Sequence, residues 1–241
     1  MRTNIKEANL KIISFISQKG GSGKTTCAML IADALRRMGH KVLVVDIDPQ
    51  KSAHKWEQRS MVGFPAYPVP VEAASGLEVR EFVEWLKKRS HYDILVIDTP
   101  PNMNDTELRT ALMVADMAVV PLNSHISFFD SLEELSALVA LVNRARGEEV
   151  PVYGVLTRVS RRRQSDRVFC DNAADYSPWP VIKPYLKESV AYSDAFNYRT
   201  STYTLPGASL EAKEALDAIA TDLDKLLLGK GRVSFRPRSK K

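Results

Sequence analysis

The chain has 241 residues, of which 44% are hydrophobic, and this is enough to build one large α/β domain with a sizeable core. No apolar run approaches the roughly 18–20 residues needed to cross a membrane, and the polar first ten residues predict no secretory signal. Two cysteines, Cys27 and Cys170, are too few for a disulfide framework, which favours a reducing, cytoplasmic location.

The basic excess is concentrated at one end of the chain. The formal net charge is +5, but residues 229–241 hold six lysines and arginines and no acidic residue, which leaves −1 for residues 1–228. We therefore predict a domain over 1–228 and a basic tail over 229–241 that we expect to be disordered. Such a tail is typical of contacts with nucleic acid or acidic surfaces, and a solvated end that only aids solubility is the alternative.

Strand and helix patterns alternate along the chain, with short β-branched runs between amphipathic segments. The predicted strands lie at 11–17, 41–46, 92–98, 118–121 and 152–157, with a short strand at 179–183 and at most a short strand near Pro65, Pro68 and Pro70. The predicted helices lie at 25–38, 76–89, 105–115, 128–146 and 208–228, and a basic loop becomes helical over 158–175. Asp105 is the expected cap of the third helix, and Gly229 is expected to end the last one. Apolar strands that alternate with helices predict a single α/β domain, with a mostly parallel twisted sheet and helices on both faces.

A glycine-rich turn joins the first predicted strand to the first predicted helix, with the sequence QKGGSGKTT over residues 18–26. Glycines let backbone N–H groups approach phosphate oxygens, and the N-terminus of the following helix adds a positive dipole. At this spacing Lys24 is expected to reach the β- and γ-phosphates of a nucleotide, and the Thr25 hydroxyl to ligate Mg²⁺. The predicted phosphate-binding residues are Gly20, Gly21, Ser22, Gly23, Lys24, Thr25 and Thr26.

Carboxylates stand at the ends of two other predicted strands. Asp46 and Asp48 follow the apolar run at 41–46, and Asp98 closes the run at 92–98 in the form of a Walker B motif. Open α/β sheets bind ligands at the carboxyl ends of their strands, and hydrated Mg²⁺ is held through one or two carboxylates. The sequence therefore predicts a Mg²⁺–nucleotide site here, while strand-end carboxylates that only satisfy loop amides are the alternative.

The phosphate-binding loop departs from the usual spacing, because Gln18 stands where a glycine is expected and Lys19 opens the loop. This form, followed by the motifs at Asp46, Asp48 and Asp98, resembles the deviant Walker A motif of the ParA/MinD family of ATPases over roughly residues 10–228. The distal part resembles short, ParF-like partition ATPases. The resemblance implies a P-loop NTPase fold, ATP and Mg²⁺ as cofactors, and slow intrinsic hydrolysis of ATP to ADP and phosphate.

The resemblance also implies roles for single residues. Lys19 would reach across a dimer interface to the nucleotide of the partner subunit, Asp48 would position the attacking water, and Asp98 would report on the γ-phosphate. The implied catalytic residues are thus Lys19, Lys24 and Asp48, and the implied metal-site residues are Thr25 and, through water, Asp46. Adenine contacts are implied for Thr157, Arg158 and Pro184, with a packing role as the alternative.

The function implied by the resemblance is that of an ATPase that forms a homodimer with ATP, binds nonspecific DNA and partitions or positions a cargo. A ParB-like or other cargo-bound adaptor would stimulate hydrolysis, and the protein would be cytoplasmic and nucleoid-associated. Clustered basic residues supply the contacts with phosphate that such binding needs. The predicted DNA contacts are Arg161, Arg162, Arg163 and Arg199, and a solvated loop is the alternative for this cluster.

Two other functions fit the phosphate-binding loop. A MinD-type membrane-associated switch would end in an amphipathic helix, but residues 229–238 contain two glycines and a proline, with Val233 and Phe235 as the only bulky apolar residues, so a membrane partner is not expected. A metabolic P-loop enzyme or a metal-cluster carrier is a further alternative, and a carrier would want paired cysteines, which Cys27 and Cys170 do not form. Relatives with these motifs serve plasmids, chromosomes, chemotaxis clusters and carboxysomes, so the cargo stays open.

Overall fold

The computed structural model describes residues 10–89, 91–101, 106–123, 126–160 and 162–231, with the side chains of 126–130 excepted. Within these residues the apolar runs form one parallel sheet of seven strands in the order β3-β2-β4-β1-β5-β6-β7. The strands are β1 (Lys11–Phe15), β2 (Val42–Asp46), β3 (Val71–Ala73), β4 (Ile94–Asp98), β5 (Met117–Leu122), β6 (Val152–Leu156) and β7 (Val181–Ile182).

Helices cover both faces of this sheet. They are α1 (Lys24–Arg37), α2 (Ser52–Gln58), α3 (Val79–Arg89), α4 (Thr106–Val114), α5 (Ile126–Arg146), α6 (Gln164–Tyr176), α7 (Val190–Tyr198) and α8 (Leu210–Leu227). Buried side chains of α1, α2, α7 and α8 share one core with Ile13 and Phe15, whereas α3 to α6 pack on the opposite face, which carries Ile12 and Ile16. The predicted fold class is therefore correct. None of the helices in the described ranges is long and apolar enough to cross a membrane.

The register of the central strands brings the candidate site residues to one edge of the sheet. Phe15 at the end of β1 is opposite Asp98 at the end of β4, and Asp46 at the end of β2 is opposite the same residue. The loop that follows β1 therefore begins next to two carboxylates that are distant in sequence.

Two helices, α2 and α7, are missing from the sequence-based prediction. Helix α2 is short, and only Ala53 and Trp56 are buried in it, so its apolar periodicity is too weak to detect. Helix α7 does carry a local signal, because the Ser189 side chain caps it by accepting a hydrogen bond from the Ala191 N–H.

The ends of the predicted domain are only partly described. Asp105, the expected cap of α4, lies outside the described residues, as do residues 1–9 and 232–241. Gly229 follows α8 with φ +68°, in agreement with its expected role as the end of that helix. The division into a domain over 1–228 and a tail over 229–241 stays a prediction.

Candidate functional site

The loop between β1 and α1 has the backbone of a phosphate cradle. Gly21 and Gly23 have φ values of +74° and +85°, a region that side chains rarely occupy. A Cβ at Gly20 or Gly21 would meet no atom within 4 Å, so this side of the loop is open. Gly23 immediately precedes the first residue of α1, so the loop leads directly into the N-terminus of that helix, where anions are stabilised.

Lys24 is buried against the end of β4. Its ammonium donates to Asp98 Oδ1 at 3.1 Å and to the Thr99 carbonyl, and the Thr25 hydroxyl donates to Asp98 Oδ2 at 2.7 Å. Asp98 has no exposed surface, and burial raises the pKa of its carboxyl group, while Lys24 and Thr25 oppose that increase. Three residues predicted as one site are thus joined by direct contacts.

Asp46 is also fully buried, and it organises the start of α2. Its Oδ1 accepts a hydrogen bond from the Asp48 N–H at 3.0 Å, and its Oδ2 accepts one from the His54 N–H at 3.0 Å. Burial first, and the charge of Asp98 second, raise the pKa of Asp46 from 3.8 to about 6. Asp46 therefore does satisfy loop amides, the alternative considered above, and its role in metal binding stays a prediction.

Asp48 is held by the turn that leads into α2. Its Oδ1 accepts a hydrogen bond from the Gln50 N–H at 2.8 Å, and its carbonyl accepts one from the Lys51 N–H at 2.8 Å. Asp48 is 8% exposed, and these two hydrogen bonds hold it in its turn.

The donor set fits a magnesium ion that is shared with a nucleotide. The Thr25 hydroxyl and the carboxylates of Asp46 and Asp98 are hard oxygen donors at one end of the sheet, next to the open glycine loop. Among the described residues, no group of three or more histidine, cysteine, aspartate or glutamate side chains could hold a metal by itself. A magnesium ion here would accordingly take its other ligands from phosphate oxygens and water.

A pocket of about 490 Å³ lies beside the start of α1. Thr157 and Arg158 line it, and Arg158 Nε would lie 3.8 Å from a Cβ at Gly23. The other lining residues come from α1, from residues 186–189 and from α7, and they include Cys27, Tyr192, Phe196 and Asn197. The α7 residues are missing from the sequence-based site, because only the fold brings that helix to the loop.

Of the three predicted adenine contacts, Thr157 and Arg158 line this pocket and Pro184 does not. Thr157 is buried, and Arg158 adopts φ +57° where β6 ends. Pro184 instead lines the neighbouring groove against α8. Cys27 is buried, and burial raises the pKa of its thiol, which suits the packing role expected for it.

Lys19 is half-buried at the start of the loop, and its backbone is held by the Ser17 hydroxyl, which donates to the Lys19 carbonyl at 3.2 Å. The neighbouring Gln18 side chain donates to Glu134 on α5. The role of Lys19 toward a partner subunit stays a prediction.

The predicted DNA contacts that the structure describes lie at opposite ends of α7. Arg162 and Arg163 are exposed just before α6, and Arg163 Nη2 lies 3.8 Å from Glu188 Oε2, next to the N-terminus of α7. Arg199 caps the C-terminal end of α7, which lies about 13 Å from the N-terminal end because the helix has nine residues. Arg161 lies outside the described residues, and all four stay predicted contacts.

A glycine-rich strand–loop–helix turn with a buried lysine–aspartate pair, set in a parallel sheet covered by helices, defines a P-loop nucleotide-binding protein. The chain belongs to the CobQ/CobB/MinD/ParA nucleotide binding domain family, whose model matches residues 13–202. The resemblance to the ParA/MinD family predicted from the sequence is thus confirmed.

Relatives match over nearly their whole length. The chain is 27% identical over 222 residues to maintenance of carboxysome distribution protein A of Gloeobacter kilaueensis, covering 89% of this chain and 94% of that protein. It is 26% identical over 263 residues to the chromosome partitioning protein ParA of Caulobacter vibrioides, covering 90% and 96%.

Solved structures share the fold. Cobyrinic acid a,c-diamide synthase from Mycobacterium smegmatis superposes with a TM-score of 0.73 at 16% identity, covering 95% of this chain and 100% of that one. The septum site-determining protein MinD from Pyrococcus horikoshii, complexed with Mg-ADP, gives a TM-score of 0.67 at 22% identity, covering 93% and 100%. These likenesses confirm the expected P-loop NTPase fold.

The raised pKa of Asp46 predicts a pH-dependent stability. Because the folded state binds this proton more tightly than the unfolded state, folding is penalised as pH rises from 3.8 to about 6, and the penalty is constant above that range. At about 1.4 kcal/mol for each pH unit, the full penalty for this buried group is about 3 kcal/mol. The free energy of unfolding of the parent protein, measured in urea, should therefore carry this penalty at pH 7 and little of it at pH 4. We expect Asp46→Asn to lack this part of the pH dependence.

The two proteins are compared by the slope of the free energy of unfolding against pH and not by its absolute value. The reason is that the asparagine NH₂ faces one backbone N–H and lowers stability at every pH. Asp93→Asn, at an exposed carboxylate, is the matched control and should follow the parent protein. Parallel pH profiles for Asp46→Asn and the parent protein would contradict the assignment.

Proposed function

We propose that this chain is an ATPase that dimerises with ATP, binds nonspecific DNA in that state, and positions a cargo whose adaptor stimulates hydrolysis. One observation carries the proposal: Lys24 and Thr25 converge on buried Asp98, while a second lysine, Lys19, opens the same loop. A P-loop that works within one subunit needs only the first lysine. The extra cation is therefore best used toward a second subunit.

In this proposal each residue of the site has a separate role in phosphoryl transfer. The loop N–H groups and Lys24 bind the phosphates, and Thr25 orients the metal through its hydroxyl group. Bound Mg²⁺ would supply positive charge to the phosphate oxygens. Asp48, fixed by its turn, accepts a hydrogen bond from the attacking water and orients it, and Asp46 keeps that turn in place through the Asp48 N–H.

Lys19 acts on the nucleotide of the partner subunit in this proposal. Charge on the phosphate oxygens is stabilised by a cation supplied in trans, so hydrolysis depends on dimerisation. Turnover by the isolated protein is accordingly slow. The proposal leaves the cargo open, since the relatives are named for carboxysome distribution and chromosome partitioning.

The proposed action of Lys19 on the nucleotide of the partner subunit predicts that Lys19→Gln binds ATP but hydrolyses it about 10³-fold more slowly. This is the smaller end of the effect of a cation supplied in trans. Light scattering should give a dimer mass with ATP and a monomer mass with ADP for the parent protein. Lys88→Gln, an exposed lysine on α3, is the matched control and should behave as the parent. The same mass with ATP and ADP would refute the proposal.

DNA binding should require ATP and weaken steeply with salt, since the contacts are basic side chains with phosphates. We expect Arg162→Ala/Arg163→Ala to lower the slope of log affinity against log salt by about 2, the value for two lost phosphate contacts. Arg80→Ala/Lys88→Ala removes two exposed charges from α3 and is the control. If only deletion of 232–241 abolishes binding, and ADP supports it equally, the ATP-dependent switch is wrong. Co-sedimentation with liposomes in ATP and ADP tests the MinD-type alternative in the same samples.

A further inference from the structure

A second groove adjoins the pocket beside the start of α1 and has an apolar floor. It has a volume of about 730 Å³ and runs between residues 184–192 and the first half of α8. Alanines of α8, at 212, 215 and 218, form one wall, and Val190, which is 74% exposed, stands on the other. Small residues on a helix and an uncovered valine leave room for a bulky apolar side chain.

The rim of the groove is acidic. Glu188, Glu211 and Glu214 line it, while Lys187 is the one basic lining residue and is paired with Glu211. Glu188 and Glu214 are exposed. An occupant with one large apolar side chain and several positive charges complements this surface.

The end of α8 turns the chain back toward the groove. Gly229, with φ +68°, donates its N–H to the Leu226 carbonyl at 3.0 Å, and the Lys230 N–H donates to the Lys225 carbonyl at 2.7 Å. This pair of bonds is a Schellman motif, which reverses the direction of the chain. Gly231 then lies on the helix, where a Cβ would be 3.2 Å from the Leu226 nitrogen.

The returning chain lies on the face of α8 that lines the groove. Leu226, Ala218, Ala215 and Glu211 are separated by eight, three and four residues, which places them on one side of a helix. Ala218 lies about 12 Å before Leu226 along the helix axis, and Glu211 about 22 Å. Four extended residues beyond Gly231 span about 13 Å, and seven span about 23 Å.

We propose that residues 232–241 of this chain dock in the groove along α8. The distances bring Phe235 to the level of Ala218, and Arg238 to the level of Glu211, so the apolar ring meets the alanine wall and the basic side chains meet the acidic rim. The groove shares Lys187, Glu188, Ser189 and Tyr192 with the pocket beside the start of α1, so the docked segment supports a wall of that pocket. The proposal does not depend on the function proposed above.

Disulfide trapping in the full-length chain tests the docking. Ala218→Cys/Phe235→Cys, in a Cys170→Ser background and a glutathione redox buffer, should form an intramolecular disulfide about tenfold faster than the control, because docking raises the local concentration of the two thiols. The control is Ala137→Cys/Phe235→Cys, which uses an exposed alanine on α5. Peptide mass spectrometry identifies the bridge, and Ala215→Cys/Phe235→Cys repeats the test one helical turn away.

Charge reversal at the rim provides a second measurement on the same disulfide. Glu214→Lys should slow its formation several-fold, whereas Glu133→Lys, at an exposed acid on α5, should leave the rate unchanged. Equal rates for the Ala218 and Ala137 pairs would overturn the proposal. Disulfide-linked dimers in place of the intramolecular bridge would also overturn it, because the groove would then take the segment of a second copy.

Discussion

Lys24→Ala is expected to lower the affinity for ATP by about 10²–10³-fold, since hydrogen bonds to charged groups are each worth about 1.5–3 kcal/mol. The reason is that the ammonium at the end of the glycine loop is the direct cation for the β- and γ-phosphates in the proposed site. Isothermal titration calorimetry with ATP and Mg²⁺ measures the loss. Affinity equal to that of the parent protein would refute the phosphate-binding role of the loop.

This variant has a second consequence that must be separated from the first. In the structure Lys24 also compensates Asp98, which has no exposed surface. Removing the lysine leaves a buried carboxylate without its cation, a change that destabilises proteins by about 3–5 kcal/mol. Loss of binding by Lys24→Ala could therefore reflect loss of folded protein.

Lys24→Ala/Asp98→Asn separates the two effects, because it removes the charge pair together. The double variant should recover most of the free energy of unfolding, measured in urea, while its affinity for ATP stays low. Recovery of affinity in the double variant would mean that the lysine acts on the fold and not on the nucleotide.

Asp48→Ala is expected to bind ATP and remain dimeric while losing hydrolysis by about 10²–10⁴-fold, the usual contribution of a group that orients and activates a reacting water. Asp48 lies two residues beyond Asp46, at the edge of the site, and its backbone belongs to the turn before α2. Single-turnover hydrolysis and light scattering with ATP measure the two properties. Hydrolysis at the parent rate would assign the water to another residue.

Asp48→Asn is the matched control for the structural role of this side chain. The amide oxygen of asparagine can still accept the hydrogen bond from the Gln50 N–H, so the turn and the folded stability should be kept. The loss of charge should nevertheless slow hydrolysis as it does in Asp48→Ala. If Asp48→Asn hydrolyses ATP normally, the alanine variant acts through the turn alone.

The phosphate-binding loop and the strands of the sheet could be predicted from sequence because their signals are local. The glycines, Lys24 and Thr25 are contiguous, and the buried strands are continuous apolar runs. Asp46 and Asp98 could be placed near the loop as well, because the carboxyl ends of parallel strands meet at one edge of a sheet. This inference needs the order of elements and no knowledge of the packing.

The contacts of these residues depended on packing between distant segments. Asp46 holds the first turn of α2 through the His54 N–H, and no local pattern reveals that bond. Residues of α7 line the pocket beside the start of α1, while Pro184, predicted to contact adenine there, lines the groove against α8. Which cavity a loop residue lines depends on the elements that pack against the loop, and a single sequence does not specify that packing.

The sequence by itself determined the class of fold, the loop and the carboxylates that meet it, since hydrophobic periodicity and glycine placement act over a few residues. Only the tertiary structure decided how burial raises the pKa of Asp46, how Lys24 is shared with Asp98, and that Gly231 lies against the end of α8. These properties arise from desolvation and from contacts between residues far apart in the chain, and both exist only once the sheet and its helices are packed together.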